Sequence, residues 1–199
     1  MPYLTVEPEF NRFVCVKCKA INHDAAFENG FSSDVKIRAR GNIFISSDGF
    51  FCFDDTVRQI IETAKFKGIK FKKLVGTGWN VISLTCRVRA DESVYEYSKQ
   101  KCAACKRPRE VLGFIRFPSQ IKVPDFAGTF FTPKFDRGGK MNMDRDLFVT
   151  EDIALRFKKE GLKGGYFERL LSKDEEVNCR KAIATKQEFK WPKGTKILL

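Results

Sequence analysis

Two short stretches carry the residues best suited to chemistry, Cys15-Val16-Lys17-Cys18 and Cys102-Ala103-Ala104-Cys105. Each sets two thiols on either side of two intervening residues. At that spacing a tight turn aims both sulfurs at one ion while nearby backbone N–H groups donate to them. Zinc takes four soft or borderline ligands in a tetrahedron, and two such turns facing each other supply all four as thiolates. One Cys-x-x-Cys alone is weak evidence, whereas two in a chain with seven cysteines are much stronger. The pairing predicts a structural Zn2+ held by Cys15, Cys18, Cys102 and Cys105 in a zinc-ribbon-like module built from about residues 11–22 and 98–110. The 83 residues between the turns exceed the usual spacing of a compact ribbon, so the ion would close a long loop. Iron at the same four thiols stays open on sequence alone.

Two other uses compete for these cysteines. A thiol–disulfide oxidoreductase places one Cys-x-x-Cys at the start of a helix, where the dipole lowers the thiol pKa. Here Lys19-Ala20-Ile21-Asn22-His23 and Lys106-Arg107-Pro108 follow the pairs, and both read as turns. The second alternative is two separate structural thiol pairs without metal. Lys17, Lys19, Lys101, Lys106, Arg107 and Arg109 flank the turns. Four thiolates and one divalent ion sum to two negative charges, which these cations would offset. They could also touch nucleic acid as a basic zinc knuckle, although no aromatic residues alternate with them to form a stacking platform. The single histidine, His23, follows Cys18 closely enough to replace a ligand, but four thiols complete the shell, so it reads as a surface residue of a polar loop. There is no Gly-x-Ser-x-Gly, no Walker loop and no His-Glu-x-x-His, and Arg137-Gly138-Gly139-Lys140 lacks the flanking strand and helix of an anion cradle. The expectation is a protein that is not an enzyme.

The elements that must position the cysteines read as follows. Tyr3–Val6 and Arg12–Val16 look extended, and Ala20–Asp34 reads as loop. Val35–Ala39 and Ile43–Ile45 suggest a hairpin, with a third strand at Phe50–Phe53. Asp54 or Asp55 caps a helix whose Val57, Ile60, Ile61 and Ala64 share a face, with Gly68 as its left-handed stop. Strands follow at Ile69–Val75 and Val81–Val88, the second placing Cys86 on its apolar face as a buried small hydrophobe, like Cys52 in its Phe-rich run. Lys65, Lys67, Lys70, Lys72 and Lys73 interleave with Phe66 and Phe71 and read as a solvated strand face. Val111–Phe117 reads as a strand and Pro124–Lys140 as a long ordered connection. Leu147–Val149 precedes a helix capped at Thr150 and ended by Gly161, and Gly164–Phe167 begins another strand. Ser172 with Glu175 forms a capping box for a last helix through about Ala184, and the pattern leaves open whether the tail Phe189–Leu199 packs or frays. Strands mixed with about three separated helices give an α+β class, a mixed or antiparallel sheet within one domain spanning 1–199.

The chain is long enough to bury a sizeable core, and its twenty Phe point to aromatic packing. No run of eighteen apolar residues suggests a membrane span. The start lacks a positive region followed by an apolar one, and an odd cysteine count without an export signal suggests a reducing compartment, so the expected location is cytoplasmic. The net charge of +12 favours a polyanionic or acidic partner and long-range steering towards it. Lysine rather than arginine dominates the densest patches, which suits diffuse attraction more than bidentate reading of phosphates.

With both cysteine turns in view, the chain resembles the double Cys-x-x-Cys-Gly family of predatory myxobacteria and relatives, immunity proteins of polymorphic toxin systems. The likeness lies in the turns at Cys15–Cys18 and Cys102–Cys105, in Phe130-Phe131-Thr132, and in Leu147-Phe148-Val149-Thr150-Glu151. It extends through Leu155–Gly164 to the aromatic pair Tyr166-Phe167. The family's glycine after each second cysteine is Lys19 and Lys106 here. Glycine tolerates the left-handed geometry common just past such turns, where a lysine costs on the order of 1 kcal/mol. The resemblance implies a binding protein that neutralises one cognate bacterial toxin, with the four cysteines as metal ligands and no catalysis. Its +12 charge suits an acidic toxin. The competing expectation is a zinc-ribbon nucleic-acid-binding protein that uses the basic faces.

Overall fold

A computed structural model describes residues 12–31, 37, 39–46, 49–88, 96–97, 101–107, 111–112, 127–133, 146–168, 174, 178, 185 and 196–198. The fold is α+β. Its centre is a four-stranded antiparallel sheet of β1 (Ile43–Ile45), β2 (Phe51–Asp54), β4 (Trp79–Leu84) and β3 (Ile69–Lys73), in that spatial order. A mixed sheet joins β5 (Arg87–Val88), β8 (Phe130–Pro133) and β9 (Phe148–Val149), with β5 and β8 parallel and β8 and β9 antiparallel. Two antiparallel ladders pair β6 (Glu96–Tyr97) with β7 (Val111–Leu112), and β10 (Tyr166–Glu168) with β11 (Lys196–Leu198). The helices whose ranges fall among the described residues are α1 (His23–Asn29), α2 (Asp55–Thr63) and α3 (Glu151–Lys159).

The central sheet is covered on both faces, which is why β2 and β4 read as nearly continuous apolar runs. Neighbouring residues go to opposite layers. Cys52 and Val81 pack with Ala26 and Phe27 of α1, and with Phe44, Phe50 and Leu74. Phe53, Ile82 and Leu84 pack with Val57 and Ile61 of α2, Ile153 and Phe157 of α3, and Phe130 of β8. Phe53, Phe130 and Phe157 are fully buried and their rings lie 6.2–6.4 Å apart in tilted or edge contacts. A buried ring of this size stabilises by roughly 2–3 kcal/mol before its own ordering is counted.

Local signals explain most boundaries. Asp54 caps α2 by accepting the Val57 N–H at 2.9 Å, and its other oxygen accepts Asn42 Nδ2 at 2.7 Å. Asn42 in turn accepts the Lys163 N–H through Oδ1 at 2.9 Å, tying the start of β1 to the loop after α3. Thr150 occupies the cap position of α3 without capping it; its hydroxyl accepts the Thr129 N–H instead. The acids Glu151 and Asp152 and the bases Arg156, Lys158 and Lys159 sit at the ends of α3 that their charges favour.

Several expectations are corrected. Residues 20–34 are not all loop, because Asn22 caps α1 through its side chain on Ala25 N–H and so starts a helix over His23–Asn29. Ile43–Ile45 forms its hairpin with β2, not with Val35–Ala39. The turn closes at Ser46 and Gly49, where the Ser46 hydroxyl accepts the Phe50 N–H and Gly49 takes φ +78°. Of the proposed earlier strand, Ile37 and Ala39 are irregular and the rest lies outside the described residues. Arg12–Val16 is extended only at Val14, which bridges Ile21. α2 stops at Lys65 (φ +56°), three residues before Gly68, which is itself left-handed at φ +81°. Gly68 serves another purpose: a Cβ there would lie 1.9 Å from the Phe130 carbonyl oxygen. Val81–Val88 is two strands broken at Thr85 and Cys86, leaving Cys86 half-buried, not buried. The long connection 124–140 contains β8. Tyr3–Val6, residues 113–117 and Arg137–Lys140 lie outside the described residues, as does the last helix apart from the helical Asp174 and Asn178. No described helix is long and apolar enough to cross a membrane.

Candidate metal centre

The two cysteine turns have the same backbone plan. In the first, Cys15 N–H donates to Ala20 O at 2.9 Å and Lys19 N–H donates to Cys15 O at 2.8 Å. In the second, Cys102 N–H donates to Arg107 O at 2.9 Å and Lys106 N–H donates to Cys102 O at 2.8 Å. Each chain reversal needs a left-handed residue right after the second cysteine, and both lysines supply it, Lys19 at φ 61° and Lys106 at φ 60°.

The turns are seated by different parts of the chain. The first is held at its base by the Val14–Ile21 bridge and by Asn22 N–H on Phe13 O at 2.8 Å. Asn22 then caps α1, whose Ala26 and Phe27 enter the core, so the turn is joined to the sheet within a few residues. Arg87 adds an ion pair to Asp24 of α1 at 2.7 Å. The second turn reaches the first through Arg107, whose Nη1 donates to Ile21 O at 2.8 Å. From the sequence Arg107 is expected to balance the site's charge or to touch nucleic acid; its strut between the turns carries no sequence signal.

This arrangement brings all four sulfurs together. The Sγ atoms of Cys15 and Cys102 lie 3.8 Å apart, those of Cys18 and Cys105 lie 3.5 Å apart, and all four fall within 4.8 Å of one another. Metal–thiolate bonds of about 2.3 Å in a tetrahedron set sulfurs about 3.8 Å apart. The cage therefore fits one tetrahedral ion. Contacts of 3.5–3.8 Å are too long for disulfides, whose sulfurs bond at about 2.05 Å, and all four are free thiols. Neither pair opens a helix; α1 starts at His23, beyond the turn.

The sulfur environments favour ionisation on one ligand of each turn. The Cys18 and Lys17 amides, donating to the Cys15 sulfur, lower its pKa. The Cys105 and Ala104 amides lower that of Cys102 to about 6. Burial pushes Cys18 up to about 12, and the neighbouring Cys105 sulfur adds to the rise. Without an ion the cluster holds protons among its sulfurs, and a divalent cation displaces them as it binds. Lys17, Lys19, Lys101 and Lys106 are exposed around the cage, placed to offset its negative charge, and Val16 is 79% exposed at the tip of the first turn.

His23 is not a surface residue. It is 4% exposed at the start of α1, with its ring edge-on to Phe50 at 4.8 Å, and it stands outside the cysteine group. Cys52 is fully buried, and burial pushes its thiol up to about 12. The four cysteines are the one group of three or more potential metal ligands among the described residues. No protein-family model matches the chain, and no curated protein matches it in sequence.

Proposed function

We propose that the chain is a zinc-stapled binding protein that neutralises a cognate bacterial toxin, working in the cytoplasm without catalysing a reaction. The observation that carries this reading is the repeated turn. Both Cys-x-x-Cys segments bend the same way, and both are left-handed at the position where the double Cys-x-x-Cys-Gly family has glycine. The shared geometry supports the resemblance in the part of the chain that sequence similarity made weakest.

Zinc suits the cage because it accepts four thiolates in a tetrahedron without redox chemistry, and a closed shell of four thiolates leaves no open position for substrate. Cys15, Cys18, Cys102 and Cys105 would hold it. The ion then acts on folding: it ties Cys15 to Cys105 around a loop of about 90 residues. Loop closure of that length restricts the unfolded chain by roughly 4–5 kcal/mol if treated like a disulfide. A binding surface built on the intervening sheet is thereby kept in one shape before the partner arrives, which lowers the ordering cost of association.

The +12 charge favours an acidic toxin. The test is co-purification of the chain with the product of the neighbouring gene, followed by a salt series. Tight binding that persists at high salt supports neutralisation of that protein. Binding to generic duplex or single-stranded nucleic acid that weakens steeply with salt would instead support the nucleic-acid reading, for which the exposed lysines around the cage are the specific observation. A strongly basic neighbouring product would count against the charge argument.

A further inference from the structure

We infer that the outer edge of β3 is a docking site for an extended acidic segment of a partner protein, which adds to the central sheet as a fifth strand. The inference deepens the binding-protein reading by naming a surface, and it rests on the backbone of β3.

β3 is a terminal strand of the four-stranded sheet. Its ladder with β4 is flanked by Thr85 N–H on Gly68 O at 2.9 Å and Leu74 N–H on Trp79 O at 3.0 Å. In an antiparallel pair, alternate residues direct both backbone groups at the partner. Gly68, Lys70, Lys72 and Leu74 therefore face β4. The N–H and C=O groups of Ile69, Phe71 and Lys73 face outward, and they have no hydrogen-bond partner on that side among the described residues. The same edge already takes an extended segment one step earlier. Lys67 N–H donates to Gly128 O at 2.7 Å and Lys67 O accepts the Phe130 N–H at 2.8 Å, before the chain leaves to join β5.

An open cleft of about 690 Å³ runs along this edge, walled by Phe27 and Glu28 of α1 on one side and by Ile61 and Lys65 from the α2 side on the other. Its two faces differ. Ile69 and Phe71 are half-buried with the α2 layer and offer apolar contact. Lys70 points to the opposite face with Lys72, whose ammonium donates to the carbonyls of Phe27 and Glu28 at 2.7 Å. Arg58 is paired with Glu62. Lys65, Lys67 and Lys70 are exposed and make no ion pair among the described residues.

An incoming strand that alternates acidic and apolar residues answers both faces, with its carboxylates towards Lys70 and its apolar side chains over Ile69 and Phe71. A second copy of this chain does not fit, since antiparallel pairing of the two edges about Phe71 would set Lys70 of each chain against Lys72 of the other. Nucleic acid answers the lysines but leaves the outward carbonyls of Ile69 and Phe71 without the donors that a peptide backbone supplies.

The experiment titrates the metal-loaded full chain into a fluorescein-labelled heptapeptide alternating Glu with Val, read by anisotropy, with amide hydrogen exchange in parallel. The expected result is saturable binding with new protection at Ile69, Phe71 and Lys73. Affinity falls about tenfold or more for the Lys65→Glu/Lys70→Glu variant, and likewise for a peptide N-methylated on the amides that face the edge. Absent binding, equal binding of the N-methylated peptide, or stronger binding of an oligothymidylate or a Lys–Val peptide would each overturn the inference. A neighbouring-gene toxin that binds while the peptide does not would remove this docking site and leave the function standing. Peptide binding with no toxin partner would do the reverse.

Discussion

Replacing Lys19 and Lys106 together by glycine is expected to tighten metal binding, although neither side chain is a ligand. At φ 61° and 60° each lysine holds a backbone conformation that an L side chain enters at a cost of about 1 kcal/mol. Glycine removes that cost and adds back about half of it through the greater freedom of the unfolded chain. The net gain is about 0.5 kcal/mol at each turn, or about 1 kcal/mol for both. At 1.4 kcal/mol per factor of ten, this is about fivefold in affinity if the turns form only with the ion. Removing two cations beside a negatively charged cage works in the opposite direction. The correct reference is therefore the Lys19→Ala/Lys106→Ala double variant, which loses the same charges and keeps a Cβ. Competition against a chromophoric zinc chelator measures the difference directly. Turns that persist without metal would show the gain as a higher melting temperature in both loaded and stripped protein. A glycine variant no better than the alanine variant in either measurement would refute the left-handed geometry at these two positions.

Four further outcomes follow from the same structure. Phe130→Ala removes a fully buried ring in contact with Phe53, Phe66 and Phe157 and is expected to destabilise by about 3–5 kcal/mol in urea denaturation, with a smaller loss marking a looser core. Gly68→Ala sets a methyl on the Phe130 carbonyl at a positive φ, so it is expected to lose more than about 2 kcal/mol, whereas Gly76→Ala, with nothing near its Cβ, carries only the backbone cost of its positive φ. Hydrogen bonds from Lys73 and then Asn80 hold the Asp55 carboxyl below its ordinary value of 3.8. Its stabilising contribution is present above that value and is lost as pH falls through the lower folded one, so Asp55→Asn is expected to flatten the acid limb of the stability–pH curve, and an unchanged limb would contradict the pairing. Chelation under native conditions is expected to expose the four turn cysteines to alkylation, while Cys52, buried and pushed up to about 12, stays unmodified until the protein unfolds. Mass mapping of the alkylated sites checks this.

What could be read in the sequence was whatever depends on neighbours along the chain. The cysteine spacing and the α2 cap at Asp54 are local chemistry, and the structure places them as their residue types suggest. The apolar face of Val57 and Ile61 is equally local. The errors came where a distant group decides. Gly68 looked like a helix stop, yet its lack of a side chain is required by Phe130, far along the chain, and Lys65 takes the left-handed role because α2 ends sooner. His23 and its neighbours looked like a polar loop because only Ala26 and Phe27 join a polar residue, His23, on the buried face of a short helix. The signal that could have found α1 was Asn22 followed by Ala25, Ala26 and Phe27, a cap ahead of a brief apolar stripe. Of the Lys65–Lys73 run only Ile69–Lys73 is a strand, with Lys65 in the turn after α2 and Lys67 in an isolated bridge; sequence carries no mark of which strand ends a sheet, so the cleft at the β3 edge stayed hidden.

In the proposed metal centre one ion joins the two turns. Metal analysis of protein purified without added metal, combined with X-ray absorption at the zinc edge, tests it most directly. The expected result is one zinc per chain with four sulfur neighbours at about 2.3 Å, and loss of that zinc in both Cys15→Ser and Cys105→Ser. Protein free of zinc and iron that shows four titratable thiols and the same melting temperature before and after chelation would contradict it.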